Sequence, residues 1–236
     1  MTCVPHDAER ILQVYDGTVM AMKLPNEASR ISPRKQPKQK RSIKRFETIL
    51  ESAQSLIITH GVAQMKMTDI ATHAGVPVGS VYQFFPEKAA ILKVILDVRL
   101  SALTQGIKVR LTDVRSEADA RARIVDLIDD GAWIHLHDPL CRELWIATSI
   151  DPELGHLQYQ THESIGALAF DVLGPFASDQ QSACKRDRFI LASLLTGSVL
   201  RCLAEGNDRA GALLDEWKKL VCDILLSPGK AAAADR

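Results

Sequence analysis

One stretch of the chain has the residue types and spacing to read a nucleic acid. It runs Thr68-Asp-Ile-Ala-Thr-His-Ala-Gly-Val-Pro-Val-Gly-Ser-Val-Tyr-Gln-Phe-Phe-Pro-Glu-Lys88. Ile70, Ala71, Ala74, Val76, Val81 and Phe85 are spaced to face one core from two short helices joined by a turn at Gly75-Val76-Pro77. Val78, Gly79, Ser80, Tyr82 and Gln83 are then left outward on the second helix. A short helix showing small apolar, hydroxyl and amide side chains is the kind of element that enters a major groove and meets base edges.

Other chemistry is poorly supported. His135-x-His137 with Cys141 invites a metal reading, but two histidines two apart on a helix point in different directions, and Asp138-Pro139 ends the element. No metal site and no cofactor is expected. No nucleophile–base pair or Gly-rich phosphate loop stands out, so no catalytic residues are assigned and an enzyme is not expected. The five cysteines, Cys3, Cys141, Cys184, Cys202 and Cys222, are dispersed without C-x-x-C spacing, as reduced cytosolic thiols are. Cys184, Cys202 and Cys222 read either as a redox sensor or, better, as inert buried thiols.

Two short helices cannot bury a core alone, so a third must lie beneath them. Phe46, Ile49, Leu50, Ala53, Leu56 and Ile57 recur at three- and four-residue spacing and predict that helix over 42–60, ended by Gly61. Thr68 reads as an N-cap with Asp69 in the first turn. The second short helix spans Val78 to Phe85 and is closed by Pro86. Glu87 then opens a long helix through Ala90, Leu92, Ile95, Leu96 and Leu100. Beyond Gly106 further helices are expected near 117–135, 139–149, 152–173, 180–205 and 208–226. Asp138-Pro139 and Asp151-Pro152 each read as an acidic cap with Pro at the first helical position, and Gly174-Pro175 and Gly206-Asn207 as breakers. The fold class is all-α: an N-terminal three-helix helix-turn-helix head plus a larger C-terminal helical ligand-binding and dimerisation domain. The divisions are an extension with a basic arm at 1–40, the head at 41–88, the helical body at 89–228 and a tail at 229–236.

Bulk properties agree with this organisation. The chain has 236 residues, 46% hydrophobic and 5% aromatic, enough for a sizeable helical core. Its formal net charge is zero, but residues 31–100 hold eleven bases against five acids, and the rest is correspondingly acidic. From Arg34 to Arg45 the bases Arg34, Lys35, Lys38, Lys40, Arg41, Lys44 and Arg45 meet no acid. Such asymmetry fits a surface where phosphates dock, and fits equally a solvated basic tail. The Pro-containing arm at 33–41 reaches a minor groove or is merely solvated. Arg41 and Lys44 are the better phosphate candidates, since they begin an ordered helix. No run is long and apolar enough for a membrane span and no signal pattern opens the chain, so a cytoplasmic protein with no membrane partner is expected. Residues 1–32 admit three readings: a short helix on the body, a weakly ordered extension, or sequence upstream of a true start at Met20 or Met22.

Thr68, Ile70, Ala71, Ala74, Gly75, Val76, Gly79, Tyr82, Phe85 and Lys88 stand in the register of the helix-turn-helix motif of the TetR family, and over residues 40–96 the chain resembles that family. The resemblance implies that Tyr82 and Lys88 contact phosphates, with Thr68 a further phosphate ligand. Gly79 allows close approach, and Val78, Ser80 and Gln83 meet base edges: Val78 a thymine methyl, Gln83 an adenine. Core packing is the competing reading for Phe84 and, less credibly, for Tyr82. Two positions depart from the family pattern. Pro77 stands where a capping Ser is usual, and Phe84 where His or Tyr is common.

The last two helices are strongly apolar, and the resemblance implies that they pair with a second copy of the chain. Phe189, Leu194, Gly197, Leu200, Leu213, Trp217, Leu220 and Ile224 are assigned to that homodimer seam, with an intramolecular core as the alternative. Trp133, His137, Trp145, Tyr159 and His162 are candidates to line an effector pocket, or are ordinary core and edge residues. The implied function is a transcriptional regulator, most often a repressor, released from a pseudo-palindromic double-stranded operator by a small hydrophobic effector. A redox-responsive or activating regulator of the same fold is the alternative.

Overall fold

The structure is a computed structural model describing residues 31–33, 39–177, 185–206 and 208–226. The expectations for residues 1–30, the arm at 34–38, Cys3, Cys184 and the C-terminal tail lie outside the described residues. Among those described, every regular element is helical: α1 Lys40–Gln64, α2 Met67–His73, α3 Val78–Phe84, α4 Lys88–Arg110, α5 Glu117–His137, α6 Pro139–Ile150, α7 Pro152–Leu173, a 3-10 turn Gly174–Phe176, α8 Lys185–Ala204 and α9 Ala210–Leu225. The all-α expectation holds.

Packing divides the chain into two compact units. One takes the described part of Gln13–Ala102 together with Asp138–Gln158; the other takes Leu103–His137 and the described part of Tyr159–Arg236. The sequence reading draws its boundary at residue 88, whereas packing groups α6 and the start of α7 with the helix-turn-helix.

In the first unit, α1 supplies the floor. Phe46, Ile49, Leu50, Ala53 and Ile57 are buried along one face, as their spacing predicts. They share a core with Ile70, Ala71, Val81, Phe84 and Phe85 from the short helices, with Ile91, Leu92 and Ile95 of α4, and with Leu140 and Leu144 of α6. Ile31 is also fully buried in that core, although nothing in residues 1–32 singled it out. Asp138 organises the start of α6: one oxygen accepts from the Leu140 N–H at 2.9 Å and the other pairs with Arg99 of α4. Asp151 likewise accepts from the Glu153 N–H at 3.0 Å at the start of α7. Both acidic caps stand where Asp-Pro placed them.

In the second unit, Ser116 and Asp119 form a reciprocal cap for α5. The Asp119 N–H donates to the Ser116 hydroxyl at 3.1 Å, and the Asp119 carboxylate accepts from the Arg115 N–H at 3.1 Å. The Arg115 hydrogen bond, then one from the Arg123 side chain, holds the Asp119 carboxyl below its ordinary value. Helix α5 packs on α8 and α9. Lys218 of α9 pairs with Asp129 at 2.5 Å, and Arg121 of α5 with Asp223 at 3.0 Å.

The end of α1 is a break rather than a smooth stop. Gly61 has φ 80° and ψ 157°, a region essentially reserved for glycine, and a Cβ there would lie 3.1 Å from an oxygen of Glu143. Gly61→Ala is therefore expected to destabilise the protein by about 1–3 kcal/mol. Gly211→Ala, in a helix with open space around the added methyl, serves as the control. Urea unfolding reads the difference; equal midpoints for the two variants would contradict a strained break at 61.

Candidate nucleic-acid interface

The turn between α2 and α3 is closed by backbone hydrogen bonds. The Val76 N–H donates to the Ala71 carbonyl at 3.0 Å and the Gly75 N–H to the Thr72 carbonyl at 3.2 Å. Gly75 itself has φ 64°. This is the paired 6→1 and 5→2 pattern of a glycine-terminated helix, and it fixes the angle at which α3 leaves α2. Pro77 begins α3 without any side-chain cap, and its carbonyl accepts the Ser80 N–H at 2.8 Å.

A cluster of three rings locks α3 to the floor. Phe46 of α1 meets Phe85 stacked at 4.9 Å and Phe84 edge-on at 5.6 Å. Such pairs are each worth about 0.5–1.5 kcal/mol beyond their burial. Phe84 is thus a core residue, which accounts for an apolar ring where the family commonly has a polar one. With Val81 and Phe84 held inward, α3 turns its other face to solvent. Val78 and Tyr82 are 41% and 43% exposed, Gly79 and Gln83 are exposed, and Ser80 is half-buried. Nothing lies within 4 Å of where a Cβ on Gly79 would be, so the backbone there is open to a close approach. Arg41 and Lys44 are exposed on the first turns of α1.

One placement needs correction. Thr68 is not the N-cap of α2; that position is Lys66, and Thr68 lies within the first turn with its hydroxyl donating to Asp69 at 3.3 Å. The helix starts earlier because Met67 is buried and anchors the first turn, while the Lys66 carbonyl accepts the N–H groups of Asp69 and Ile70. Asp69 does fall in the first turn. Lys66 is an exposed base at this edge that the motif did not assign, although its charge just ahead of the helix was visible.

Lys88 faces inward. Its ammonium donates to the Val62 carbonyl at 2.9 Å, and the N–H of the same Val62 donates to the Glu143 carboxylate of α6, also at 2.9 Å. Val62 is buried, so each side chain satisfies a backbone group left unpartnered by the break at Gly61. An unsatisfied group of this kind costs about 1–3 kcal/mol.

In the other unit, α8 and α9 pack together and divide the assigned seam residues. Phe189, Leu200 and Trp217 are buried within the protomer. Phe189 meets Phe170 edge-on at 5.7 Å, and the Trp217 indole N–H donates to the Thr196 hydroxyl at 3.0 Å. Leu200 fills the space beside Gly131, where a Cβ would come within 2.9 Å of it. Leu194 is half-buried. Gly197 makes room for the His162 ring, 2.9 Å from where its Cβ would be. Leu213, Leu220 and Ile224 are 44%, 48% and 45% exposed, and Leu191 and Leu195 add exposed apolar surface on α8. Leu191 was missed because both helices carry apolar residues on more than one face, which leaves the inward face unphased.

The effector candidates are divided between the two units. Tyr159 and His137 are exposed, and His137 stacks on Trp133 at 4.6 Å. Trp145 belongs to the first unit, while the other four belong to the second. Carbonyl oxygens only accept, so His135 and His137 each donate from Nδ1, to Gly131 at 2.7 Å and Trp133 at 2.8 Å. His162 is the inward one: its Nδ1 shares a hydrogen bond with the Ser193 hydroxyl at 3.1 Å. No group of three or more His, Cys, Asp or Glu suited to a metal ion occurs among the described residues. None of the described helices is long and apolar enough to cross a membrane.

A helix-turn-helix with a buried floor and an outward second helix, joined to a separate helical unit, defines a DNA-binding regulator of the two-domain helical class. Residues 49–95 match the family described as bacterial regulatory proteins, tetR family, and residues 118–228 match the tetracyclin repressor-like C-terminal domain. The chain belongs to the TetR family of bacterial transcriptional regulators. Its fold is similar to that of a TetR-family transcriptional regulator from Streptomyces coelicolor, with a TM-score of 0.57, 20% identity, and coverage of 78% of this chain and 97% of that one. A TetR regulator from Rhodococcus sp. RHA1 gives a TM-score of 0.56 at 19% identity, covering 81% of this chain and 100% of that one. SmeT, the repressor of the Stenotrophomonas maltophilia multidrug efflux pump SmeDEF, gives 0.54 at 21% identity, covering 78% and 91%. Comparison with curated protein sequences returns no match.

Burial, then the nearby His135, holds the His162 imidazole below its ordinary value. The unfolded chain therefore takes up a proton that the folded protein resists. Stability from this group is present above about pH 6.5 and lost as the pH falls through the window beneath it. Between about pH 7.5 and 5.5 the urea-unfolding free energy should fall more steeply in wild type than in His162→Asn. Parallel pH profiles for the two proteins would contradict this.

Proposed function

We propose that this regulator is a repressor that seats α3 in the major groove of a pseudo-palindromic operator, one head on each half-site of a homodimer, and that a small hydrophobic effector releases it. The observation that carries the reading is the division of α3. Val81 and Phe84 are spent on the core, and Val78, Gly79, Tyr82 and Gln83 are exposed together on the other side. Their chemistry suits a groove: Gln83 can bond an adenine edge through its amide, Val78 can pack on a thymine methyl, and the half-buried Ser80 can reach either. Tyr82, Thr68, Arg41 and Lys44 are assigned to phosphates, the first two through hydroxyls and the others as charges. Gly79 permits the backbone to come close.

Dimerisation is supported by the exposed apolar residues Leu191, Leu195, Leu213, Leu220 and Ile224 on α8 and α9, which would be covered by the same helices of a second copy. The effector assignment draws on SmeT, whose complex with triclosan has a fold similar to this chain at a TM-score of 0.56 and 19% identity. Within this chain, the inward His162 and its Ser193 partner form a polar pair of the kind that orients a small molecule. Trp133, His137 and Tyr159 are further candidates in the same unit, and Trp145 is a candidate in the other. Release then follows if the effector prefers a conformation in which the heads no longer match the half-sites.

Selection from a random duplex pool, followed by fluorescence anisotropy, tests the reading. A pseudo-palindrome should be enriched. Gln83→Ala should relax preference at one position of each half-site by about 1–3 kcal/mol, and Arg41→Ala should lower the salt slope by about one. Leu220→Glu with Ile224→Glu should sediment as a folded monomer with much weaker operator binding. Failure to enrich any sequence, with all variants binding alike, would overturn the proposal.

A further inference from the structure

We propose that Lys88 and Glu143 are positioning residues for DNA recognition: together they hold the backbone of Val62 from both sides, and Lys88 is not itself a phosphate ligand. The inference rests on the reading that the protein binds DNA and goes beyond it by reassigning the residue that the helix-turn-helix motif places on the backbone of the duplex.

Three observations carry it. The chain kinks at Gly61, whose backbone leaves the helical region, so the regular ladder of α1 is interrupted there. Val62 is nonetheless buried, so its N–H and C=O cannot be satisfied by bulk water. Both are taken by charged side chains from distant parts of the chain, Glu143 accepting from the N–H and Lys88 donating to the carbonyl, each at 2.9 Å. Charge-assisted hydrogen bonds of this length are the strong kind.

The location gives Val62 its influence. Val62 lies five residues before α2 begins at Met67, and Lys88 lies four residues after α3 ends at Phe84. One residue, Val62, therefore ties the end of the floor helix to the chain leaving the recognition helix, and Glu143 ties both to α6. A Lys88 ammonium turned inward onto a carbonyl has its geometry set by the fold. The N–H of that same residue, Val62, is held by the Glu143 carboxylate.

The two roles differ in a measurable way. A phosphate ligand releases counterions, so removing it makes log Kobs against log salt shallower by about 0.9 per contact. A positioning residue lowers affinity and leaves that slope alone. Full-length protein is titrated with the selected duplex at several salt concentrations, using Lys88→Met, Lys88→Gln, Glu143→Gln and Glu143→Leu. Arg41→Ala serves as the phosphate-contact reference. Lys88→Met is expected to bind at least tenfold more weakly with the wild-type slope. Lys88→Gln, which keeps a shorter neutral donor, should show a smaller loss and the same slope, and it carries the test if Lys88→Met does not fold. Glu143→Gln and Glu143→Leu remove the same negative charge, which by electrostatics alone would strengthen binding to DNA. Only the Leu variant removes the acceptor, so it should bind more weakly than wild type, with Gln falling between.

A slope reduced by about one unit in either Lys88 variant would overturn the proposal, as would a folded Glu143→Leu that binds as tightly as wild type. Wild-type protein that binds no duplex would instead overturn the DNA-binding reading itself.

Discussion

Buried backbone N–H and C=O groups must keep their hydrogen-bond partners, and the head of this protein is arranged around those of one residue, Val62. Gly61 kinks the chain near the end of α1, and Val62 follows it into the core, where its N–H and C=O are out of reach of bulk water. The fold answers with a carboxylate from α6 and an ammonium from the start of α4. Once those are in place, the end of α1, the entry to α2 and the exit from α3 are tied to one point. The rings of Phe46, Phe84 and Phe85 then fix the roll of α3 on the floor. What remains outward on that helix is decided by what the core has already used.

This ordering explains which parts of the protein could be read from its sequence. Local rules were sufficient wherever the determinants are local. The three- and four-residue spacing of Phe46 to Ile57 foretold α1, and Asp138-Pro139 and Asp151-Pro152 foretold the starts of α6 and α7 because the capping side chain reaches only two residues ahead. Gly75 marked its turn because only a glycine adopts that backbone freely. The start of α2 was placed two residues late because burial of Met67, a tertiary effect, outweighed the hydroxyl of Thr68.

The partners of Val62 were illegible for a different reason. Lys88 lies 26 residues away and Glu143 lies 81 residues away, and no periodicity links either to Val62. A motif assigns Lys88 by its register, whereas its hydrogen bond is set by three dimensions. The phase of α8 and α9 was hidden similarly. Both helices are apolar on more than one face, so Phe189, Leu200 and Trp217 looked equivalent to Leu213, Leu220 and Ile224 until packing separated the inward set from the outward one. His162 was named as a candidate, but the space that Gly197 leaves for it and its bond to Ser193 emerge only from the packed helices.

The central claim is that the outward face of α3 reads duplex DNA. Amide hydrogen exchange of the full-length protein, with and without a saturating selected duplex, tests it most directly. The account predicts added protection concentrated in residues 67–84 and in the first turns of α1. Protection confined to the unit containing α8 and α9, with residues 67–84 exchanging as in the free protein, would contradict it.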